Sequence, residues 1–517
     1  MGPFAQVEPG TPPRVTFPAA YNAGVDLATR NLAAGAQVVY HDDLRTLTYA
    51  ELAERAARVA GALAGLGVLP EQRVLLVLLD TVDFPAVFVG AMQLGAVPVP
   101  VNTLLTAADI AFLARDSRAR LAVVSDALLP KLSDALAGVP LVVAGAGAGG
   151  AHPRLDDLLA AALAPAAPAV TTPDDVAFWL YSSGSTGAPK GVLHLHAHPM
   201  RTAALYAQGV LGFGPDDVVY SAAKLFFAYG LGNALTFPLA VGARAVLSAE
   251  RPTPAVVARV MREHRPTLFF GVPTLFAALL ADPSFTVSPA LRLSVSAGEA
   301  LPRHVGEAWR ARFGTDILDG IGSTELLHIF LSARPGEVTY GTTGRPVPGY
   351  DVKIVDDDGA PVAAGSEGAL WVRGPTAAVA YFGARERSLA TFHGPWTRTG
   401  DRYLENPDGT FTYRGRTDDM LKVGGIWVSP FEVESAVAAH PAVLEAAVVG
   451  HPDSDGLIKP KAFVVLKQAL AEPEAELRAF VKASLAPFKC PRWVEVVADL
   501  PKTATGKIQR FRLRTTR

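Results

Sequence analysis

The sequence predicts an α/β protein with a large N-terminal domain of βα sub-blocks and a small β-rich block, followed by a small α+β C-terminal domain. Three observations lead there. Helix-period and strand-period segments alternate through the first part of the chain. From about Val338 the pattern changes to short strands divided by turns, and after Asp418 a compact mixture of strands and helices closes the chain. At 517 residues the sequence is also too long for one ordinary core.

The elements follow in order. Thr48-Tyr49-Ala50-Glu51 reads as a capping box, in which Thr48 and Glu51 each satisfy a backbone N–H at a helix start. Leu52, Ala56, Val59, Ala60 and Leu63 then recur at helical spacing. Val74 to Leu79 is an unbroken apolar run, as expected of a strand covered by helices on both faces. The wider apolar stretch to Val101 is interrupted by Asp80, Asp83, Pro85, Pro98 and Pro100, whereas a membrane span needs roughly 20 continuous apolar residues. It reads as core.

Ala144 to about Pro168 is rich in Ala, Gly and Pro and reads as a surface connection between sub-blocks. Within it Gly145, Gly147 and Gly150 spell G-x-G-x-x-G after an apolar run, the outline of a dinucleotide fingerprint. His152-Pro153 follows where that fingerprint needs a helix, so the match is read as chance. Further on, Asp357-Asp358-Gly359 and Pro407-Asp408-Gly409 are turns between strand-like runs. Ser429-Pro430-Phe431-Glu432 supplies an N-cap, a proline at N1 and an acid at N3 for one helix. Leu444 to Val449 and Ala462 to Leu466 are expected strands.

Composition narrows the function. Half the residues are hydrophobic and 19% are charged, the balance of a folded domain rather than a disordered one. Lys and Arg number 47 against 49 Asp and Glu, a net charge of −2 that argues against a nucleic-acid binder or a membrane-surface protein. Cys490 stands alone, which excludes an internal disulfide and suits a cytoplasmic protein. Met1 to Gly10 has neither a basic start nor an apolar run, so no secretory signal is expected. A monomer or homodimer is expected.

The sharpest chemical signal is Tyr181-Ser182-Ser183-Gly184-Ser185-Thr186-Gly187-Ala188-Pro189-Lys190-Gly191. Its glycines let backbone N–H groups converge, and hydroxyls plus a lysine add donors, which is what a polyphosphate needs. The spacing is not that of a Walker loop. At these residues the sequence resembles the adenylate-forming superfamily of acyl-CoA synthetases, peptide-synthetase adenylation domains and luciferase. Further motifs of that family stand in order: Ser296-Ala297-Gly298-Glu299-Ala300-Leu301-Pro302, Asp319-Gly320-Ile321-Gly322-Ser323-Thr324-Glu325, Arg398-Thr399-Gly400-Asp401, Tyr413-Arg414-Gly415-Arg416-Thr417-Asp418-Asp419, and Pro501-Lys502-Thr503-Ala504-Thr505-Gly506-Lys507.

The resemblance implies an N-terminal domain over residues 1–417 that binds ATP and the acid. A mobile C-terminal domain over 418–517 would follow, with Asp418 at the hinge. Joining a carboxylate to the α-phosphate of ATP brings two anions together, so the site must neutralise and align them. By resemblance Lys507 reaches a carboxylate oxygen and the α-phosphate. Glu325 helps hold Mg²⁺, and Ser323, Thr324 and the loop from Ser182 through Thr186 to Lys190 hold phosphate oxygens. Gly298, Glu299, Ala300, Asp319, Gly320, Ile321 and Gly322 would frame the adenine. Asp401, assisted by Arg416, would accept the ribose hydroxyls, a natural role for an acidic group. For the CoA step, Lys422-Val423-Gly424-Gly425 matches the strand lining the pantetheine tunnel, and Phe488-Lys489 lies where relatives contact the CoA nucleotide.

Adenylation domains for α-amino acids carry an aspartate where Phe226-Phe227-Ala228-Tyr229-Gly230-Leu231-Gly232-Asn233 has no acid, and an unpaired ammonium there would be costly. This segment, with Leu326-Leu327-His328-Ile329-Phe330, is similar to that of benzoate-CoA ligases. Phe227, Ala228, Tyr229, Gly298, Gly322, His328 and Ile329 would form a short apolar slot for an aryl acid, with benzoate, 2-aminobenzoate and hydroxybenzoates as competing substrates. His194, His196 and His198 alternate as three imidazoles on one strand face would, but with no acidic or thiol partner they read as packing histidines rather than metal ligands. Three rival functions compete on sequence alone. One is an adenylating enzyme that loads a carrier protein. A nicotinamide-dependent oxidoreductase built on Gly145 to Gly150 is disfavoured by the chance reading of that match. A pseudoenzyme or binding module is disfavoured because the lysine, glutamate and ribose-aspartate positions are all filled.

Overall fold

The computed structural model describes residues 3–147, 149–161, 167–182, 189–417, 419–423, 426–453, 457–485, 487–502 and 508–514. Its N-terminal part is built on two sheets. One has four parallel strands in the order Val97–Pro100, Arg73–Val77, Leu121–Ser125, Leu141–Ala144. The other has nine strands, with Ile317–Gly322, Leu293–Ala297, Leu268–Gly271, Val218–Ser221, Arg244–Val246 and Val38–His41 parallel in that spatial order and antiparallel edges on either side. Parallel strands are buried on both faces, which is why they read as unbroken apolar runs.

The helix Tyr49–Gly65 begins with the expected capping box of Thr48 and Glu51 and buries Leu52, Ala56, Val59, Ala60 and Leu63. The stretch from Val74 to Val101 folds as strand, helix Asp83–Gln93 and strand, almost all of it buried. Among the described residues no helix is long and apolar enough to cross a membrane. The largest core joins the two sheets, with Phe88 edge-on to Phe178 at 5.4 Å between ring centres.

The connection after Ala144 is less irregular than expected. Leu155–Ala161 is a helix that buries Leu155 and Leu159, a spacing hidden in the sequence by the surrounding alanines. The β-rich block is a five-stranded antiparallel sheet containing Asp351–Val355, Glu367–Arg373, Trp396–Glu405 and Phe411–Arg416. Beyond it, the strand pair Leu421–Val423 and Ile426–Val428 contributes to a separate core. That core belongs to a three-stranded sheet of Val443–Pro452, Ile458–Leu466 and Trp493–Val496. Ser429 caps the helix Pro430–Ala438 by accepting from Glu432 N–H, as the sequence predicts.

Candidate functional site

Val176–Ser182 and Lys190–Leu195 form an antiparallel pair in which Ser182 stands opposite Lys190. These two residues mark the base of the Ser/Gly-rich loop; Ser183, Gly184, Ser185, Thr186 and Gly187 lie outside the described residues. The Ser182 hydroxyl donates to Glu325 Oε1 at 3.2 Å, and the Lys190 ammonium lies 4.8 Å from the centre of the Tyr381 ring. Thus the base of the loop is already tied to the motif that ends at Glu325.

That motif leaves the strand Ile317–Gly322, and the motif from Ser296 to Pro302 leaves its parallel neighbour Leu293–Ala297. Ligands in open α/β sheets collect at the carboxyl ends of such strands. There Gly298 turns with a φ of +95°, in the region that favours glycine, and leads into Glu299 and Ala300. Asp319 is buried beneath this turn, and its carboxylate accepts the Leu301 N–H at 3.3 Å. Burial pushes its pKa up to about 7, opposed by hydrogen bonds from Leu301, Thr343 and Gly320. Asp319 therefore supports the loop from inside. Ser323 accepts from Leu326 N–H and caps the short turn Thr324–Leu326, which carries Glu325.

The histidine run does not lie on one strand face. The strand stops at Leu195, and His198 sits in the helix Ala197–Thr202. His194 Nε2 bonds the Thr324 carbonyl at 2.8 Å and its Nδ1 meets His198 Nδ1 at 3.1 Å, while His196 Nδ1 accepts from Ala23 N–H at 3.0 Å. Burial lowers His194 and His196 to about 4 and pushes His198 down as well, so all three are neutral at pH 7. They are packing and hydrogen-bonding groups, and His194 props the backbone next to Glu325.

Asp401 and Arg416 face each other across neighbouring antiparallel strands. Arg416 Nη1 donates to Asp401 Oδ1 and to the Thr399 carbonyl, both at 3.0 Å. The buried carboxylate is thereby held in one orientation.

From the C-terminal side, Ile508 N–H donates to Glu299 Oε1 at 3.1 Å. Lys507, the residue before it, lies outside the described residues, as do Asp418, Gly424 and Gly425. Lys422 is in the strand Leu421–Val423. Lys489 Nζ pairs with both oxygens of Glu432, at 2.8 and 2.7 Å.

Several of the residues expected to form the acid slot converge on His328. Its Nε2 is 3.2 Å from Asn233 Oδ1 and 3.3 Å from the Tyr229 carbonyl, and its ring packs against Tyr206, Tyr229 and Phe237. Gly232 permits this: a Cβ there would collide with the imidazole. Burial lowers the His328 pKa to about 3, so its imidazole is neutral at pH 7. The Tyr229 hydroxyl donates to the Val295 carbonyl at 3.0 Å. Gly322 pairs with Ile329, and a Cβ on Gly322 would meet the His328 carbonyl. Phe227, Ala228 and Tyr229 are half-buried, Gly298 and Gly322 are exposed, and His328 and Ile329 are buried. Asn233, which orients His328, was not singled out by sequence, although it closes the segment that was.

The G-x-G-x-x-G outline is accounted for by an acid. Gly147 N–H donates to Asp126 Oδ2 at 2.5 Å, and Arg154 Nη1 and Nη2 bond the carbonyls of Gly147 and Gly145 at 2.7 and 3.1 Å. A carboxylate occupies the place a pyrophosphate would need, and the next helix starts only at Leu155.

Comparison with known proteins agrees with this geometry. The AMP-binding enzyme family matches residues 28–382, and the AMP-binding enzyme C-terminal domain matches residues 432–507. The chain belongs to the AMP-binding enzyme family. It is 57% identical to a benzoate–CoA ligase of Thauera aromatica over 98% of both chains. A crystal structure of a benzoate CoA ligase from Burkholderia xenovorans LB400 superposes with a TM-score of 0.91 at 53% identity, covering 96% of this chain and 100% of that one. The anthranilate CoA ligase AuaEII, solved in complex with anthranoyl-AMP, gives a TM-score of 0.92 at 42% identity, covering 96% and 98%. The architecture of this family, a large AMP-binding domain with mixed sheets and a small C-terminal domain, is the one found here.

Proposed function

We propose that this chain is an ATP-dependent aryl-acid:CoA ligase that activates benzoate, or a simply substituted benzoate, as an aryl-adenylate and passes the aryl group to CoA. The observation that carries the reading is the near full-length likeness to benzoate–CoA ligases, and the neutral aromatic slot around His328 gives it a physical basis.

In the first half-reaction an oxygen of the aryl carboxylate attacks the α-phosphorus, and pyrophosphate leaves with the bond electrons. The slot positions the ring, with Tyr229 and Ile329 as walls and Gly298 and Gly322 leaving backbone edges open. Asp401, oriented by Arg416, accepts the ribose hydroxyls and fixes the nucleotide. Lys507 offsets the charge shared by the two reacting anions. Magnesium suits the donor set at Glu325, a carboxylate beside a phosphate-type loop, and when bound it would offset charge on the phosphates. In the second half-reaction the CoA sulfur attacks the acyl carbon and AMP leaves. We place the domain boundary at 417/418 with Asp418 as hinge, so that Lys507 withdraws and the strand carrying Lys422, Gly424 and Gly425 takes its place beside the thiol. A cytoplasmic location fits the availability of ATP and CoA.

Pyrophosphate release and acyl-CoA formation over substituted benzoates and short fatty acids test this. Benzoate, 2-aminobenzoate or a hydroxybenzoate should lead, with CoA alone as acceptor. Faster turnover of octanoate than of every aryl acid would refute the aryl assignment, and adenylate formation without any CoA thioester would point to a carrier-protein acceptor.

A further inference from the structure

The chain between Thr376 and Phe382 belongs to no regular element over most of its length, yet it is bonded on both sides. On one side Val379 N–H donates to the Leu193 carbonyl at 3.1 Å and Phe382 N–H to Gly191 at 2.8 Å, so it runs along the strand leaving the phosphate-type loop. On the other, the Thr376 hydroxyl donates to the Leu326 carbonyl and Ala378 N–H to the Glu325 carbonyl, both at 2.8 Å. The segment is a brace between the loop strand and the turn that carries Glu325.

Tyr381 concentrates that brace on side chains. Its hydroxyl donates to Glu325 Oε1 at 2.8 Å, and the Lys190 ammonium lies 4.8 Å from its ring centre. Ser182 donates to the same oxygen, Oε1, at 3.2 Å. Two hydroxyl donors on one oxygen leave the other, Oε2, with no hydrogen bond among the described residues. A carboxylate so held has one oxygen engaged by the protein and the other left to take a ligand. The ring, meanwhile, offers its electron-rich face to a cation.

We propose that Tyr381 is a positioning residue for adenylation: it presents Glu325 Oε2 to the magnesium ion of ATP and holds the Lys190 ammonium at the base of the loop. The proposal deepens the reading of Glu325 as the magnesium-binding carboxylate and rests on it. Its two functions separate by substitution, because phenylalanine keeps the ring and loses only the hydroxyl, whereas leucine loses both.

The test uses the full-length enzyme in three variants, Tyr381→Phe, Tyr381→Leu and Glu325→Gln. Equilibrium binding of ATP is measured by calorimetry in EDTA and in Mg²⁺, and pyrophosphate release is titrated with Mg²⁺. For Tyr381→Phe the Mg²⁺ concentration for half-maximal pyrophosphate release should rise about fivefold or more, on the scale of one lost charge-assisted hydrogen bond. The Mg²⁺-dependent gain in ATP affinity should shrink, while ATP affinity in EDTA and thioester formation from supplied aryl-adenylate stay at the wild-type level. Tyr381→Leu should in addition weaken ATP binding in EDTA, through loss of the ring under Lys190. An unchanged Mg²⁺ dependence in Tyr381→Phe, with Glu325→Gln strongly affected, would overturn the role of Tyr381 alone. Unchanged Mg²⁺ dependence in Glu325→Gln would overturn the assignment of Glu325 and the proposal with it. Equal loss of both half-reactions in Tyr381→Phe would mark the residue as merely structural.

Discussion

Glu299 Oε1 accepts the backbone N–H of Ile508 at 3.1 Å, a bond between the adenine-side loop of the large domain and the residue that follows Lys507. The sequence motif assigns Glu299 to the adenine; from the contact we propose a second duty, registering the C-terminal domain for adenylation. Hydrogen bonds to a charged acceptor are worth about 1.5–3 kcal/mol. Glu299→Ala should therefore slow pyrophosphate release roughly tenfold while sparing aryl transfer from supplied adenylate to CoA, if Lys507 serves only the first step as proposed. Glu299→Gln keeps an acceptor oxygen and should recover much of the rate. Stopped-flow assays of the two half-reactions decide it, and equal slowing of both would remove the registering role.

The Asp401–Arg416 pair predicts a nucleotide-specific defect. A buried carboxylate oriented by a guanidinium at 3.0 Å is prepared to accept two hydroxyls from one ribose. Asp401→Ala should raise the KM for ATP by roughly 10- to 100-fold, the loss of one or two charge-assisted hydrogen bonds. It should do so far less for 2′-deoxy-ATP, which already lacks one hydroxyl. The ratio of kcat/KM for the two nucleotides is the measurement; a ratio like that of the wild type would place the ribose elsewhere.

Much of this was legible in the sequence because the signals are local. The Thr48–Glu51 box, the Ser429 cap and the apolar run from Val74 each act within a few residues, and the structure contains all three. The brace at Tyr381 was not legible, because its partner Glu325 is 56 residues away and its own neighbours are Ala, Val and Phe. Periodicity also misled at His194 to His198: alternation assumes a continuing strand, but the chain turns into a helix after Leu195, which brings His198 against His194 and sends His196 to the Ala23 N–H. The role of Asn233 depends on the approach of His328 from another strand end, a pairing that no spacing in the sequence records.

Asp319 predicts a pH effect of definite sign. Burial raises its folded-state pKa to about 7, against about 3.9 for an unfolded aspartate. Between those values the folded protein keeps a proton that the unfolded chain has released. Its contribution to stability is thus complete below about pH 4 and is lost as pH rises through about 7. Asp319→Asn removes the titration. The difference in melting temperature, wild type minus variant, should therefore fall from pH 5 to about pH 7 and level off above it in differential scanning calorimetry. A difference that grows with pH would mean that Asp319 is ionised and stabilised by a partner.

Lys507→Ala should separate the half-reactions most sharply. Its ammonium is assigned to the charge that two anions share as they meet, and removing one such group from a reaction site costs about 10²- to 10³-fold. Thioester formation from supplied aryl-adenylate follows the proposed withdrawal of Lys507 and should proceed at nearly the wild-type rate. Loss of both steps together would count against alternation of the C-terminal domain.

Ile329 should govern how far the ring reaches into the slot. It pairs with Gly322, and its side chain lies over Gly320, so close that a Cβ there would touch its Cδ1. His328, beside it, cannot retreat, because it is wedged on Gly232 and bonded to Asn233. Of the two, the isoleucine is therefore the more compliant. Shortening it in Ile329→Ala would remove carbon from the end of the proposed slot, where each methylene of misfit is worth about 1–3 kcal/mol. The kcat/KM for 4-methylbenzoate relative to benzoate should rise about tenfold or more, partly through slower use of benzoate in a looser pocket. Stability should fall by about 2–5 kcal/mol, as for other buried large-to-small changes, so the ratio is best measured well below the melting temperature. A stability loss with no change in the ratio would place Ile329 in the core alone and move the end of the slot toward Tyr229.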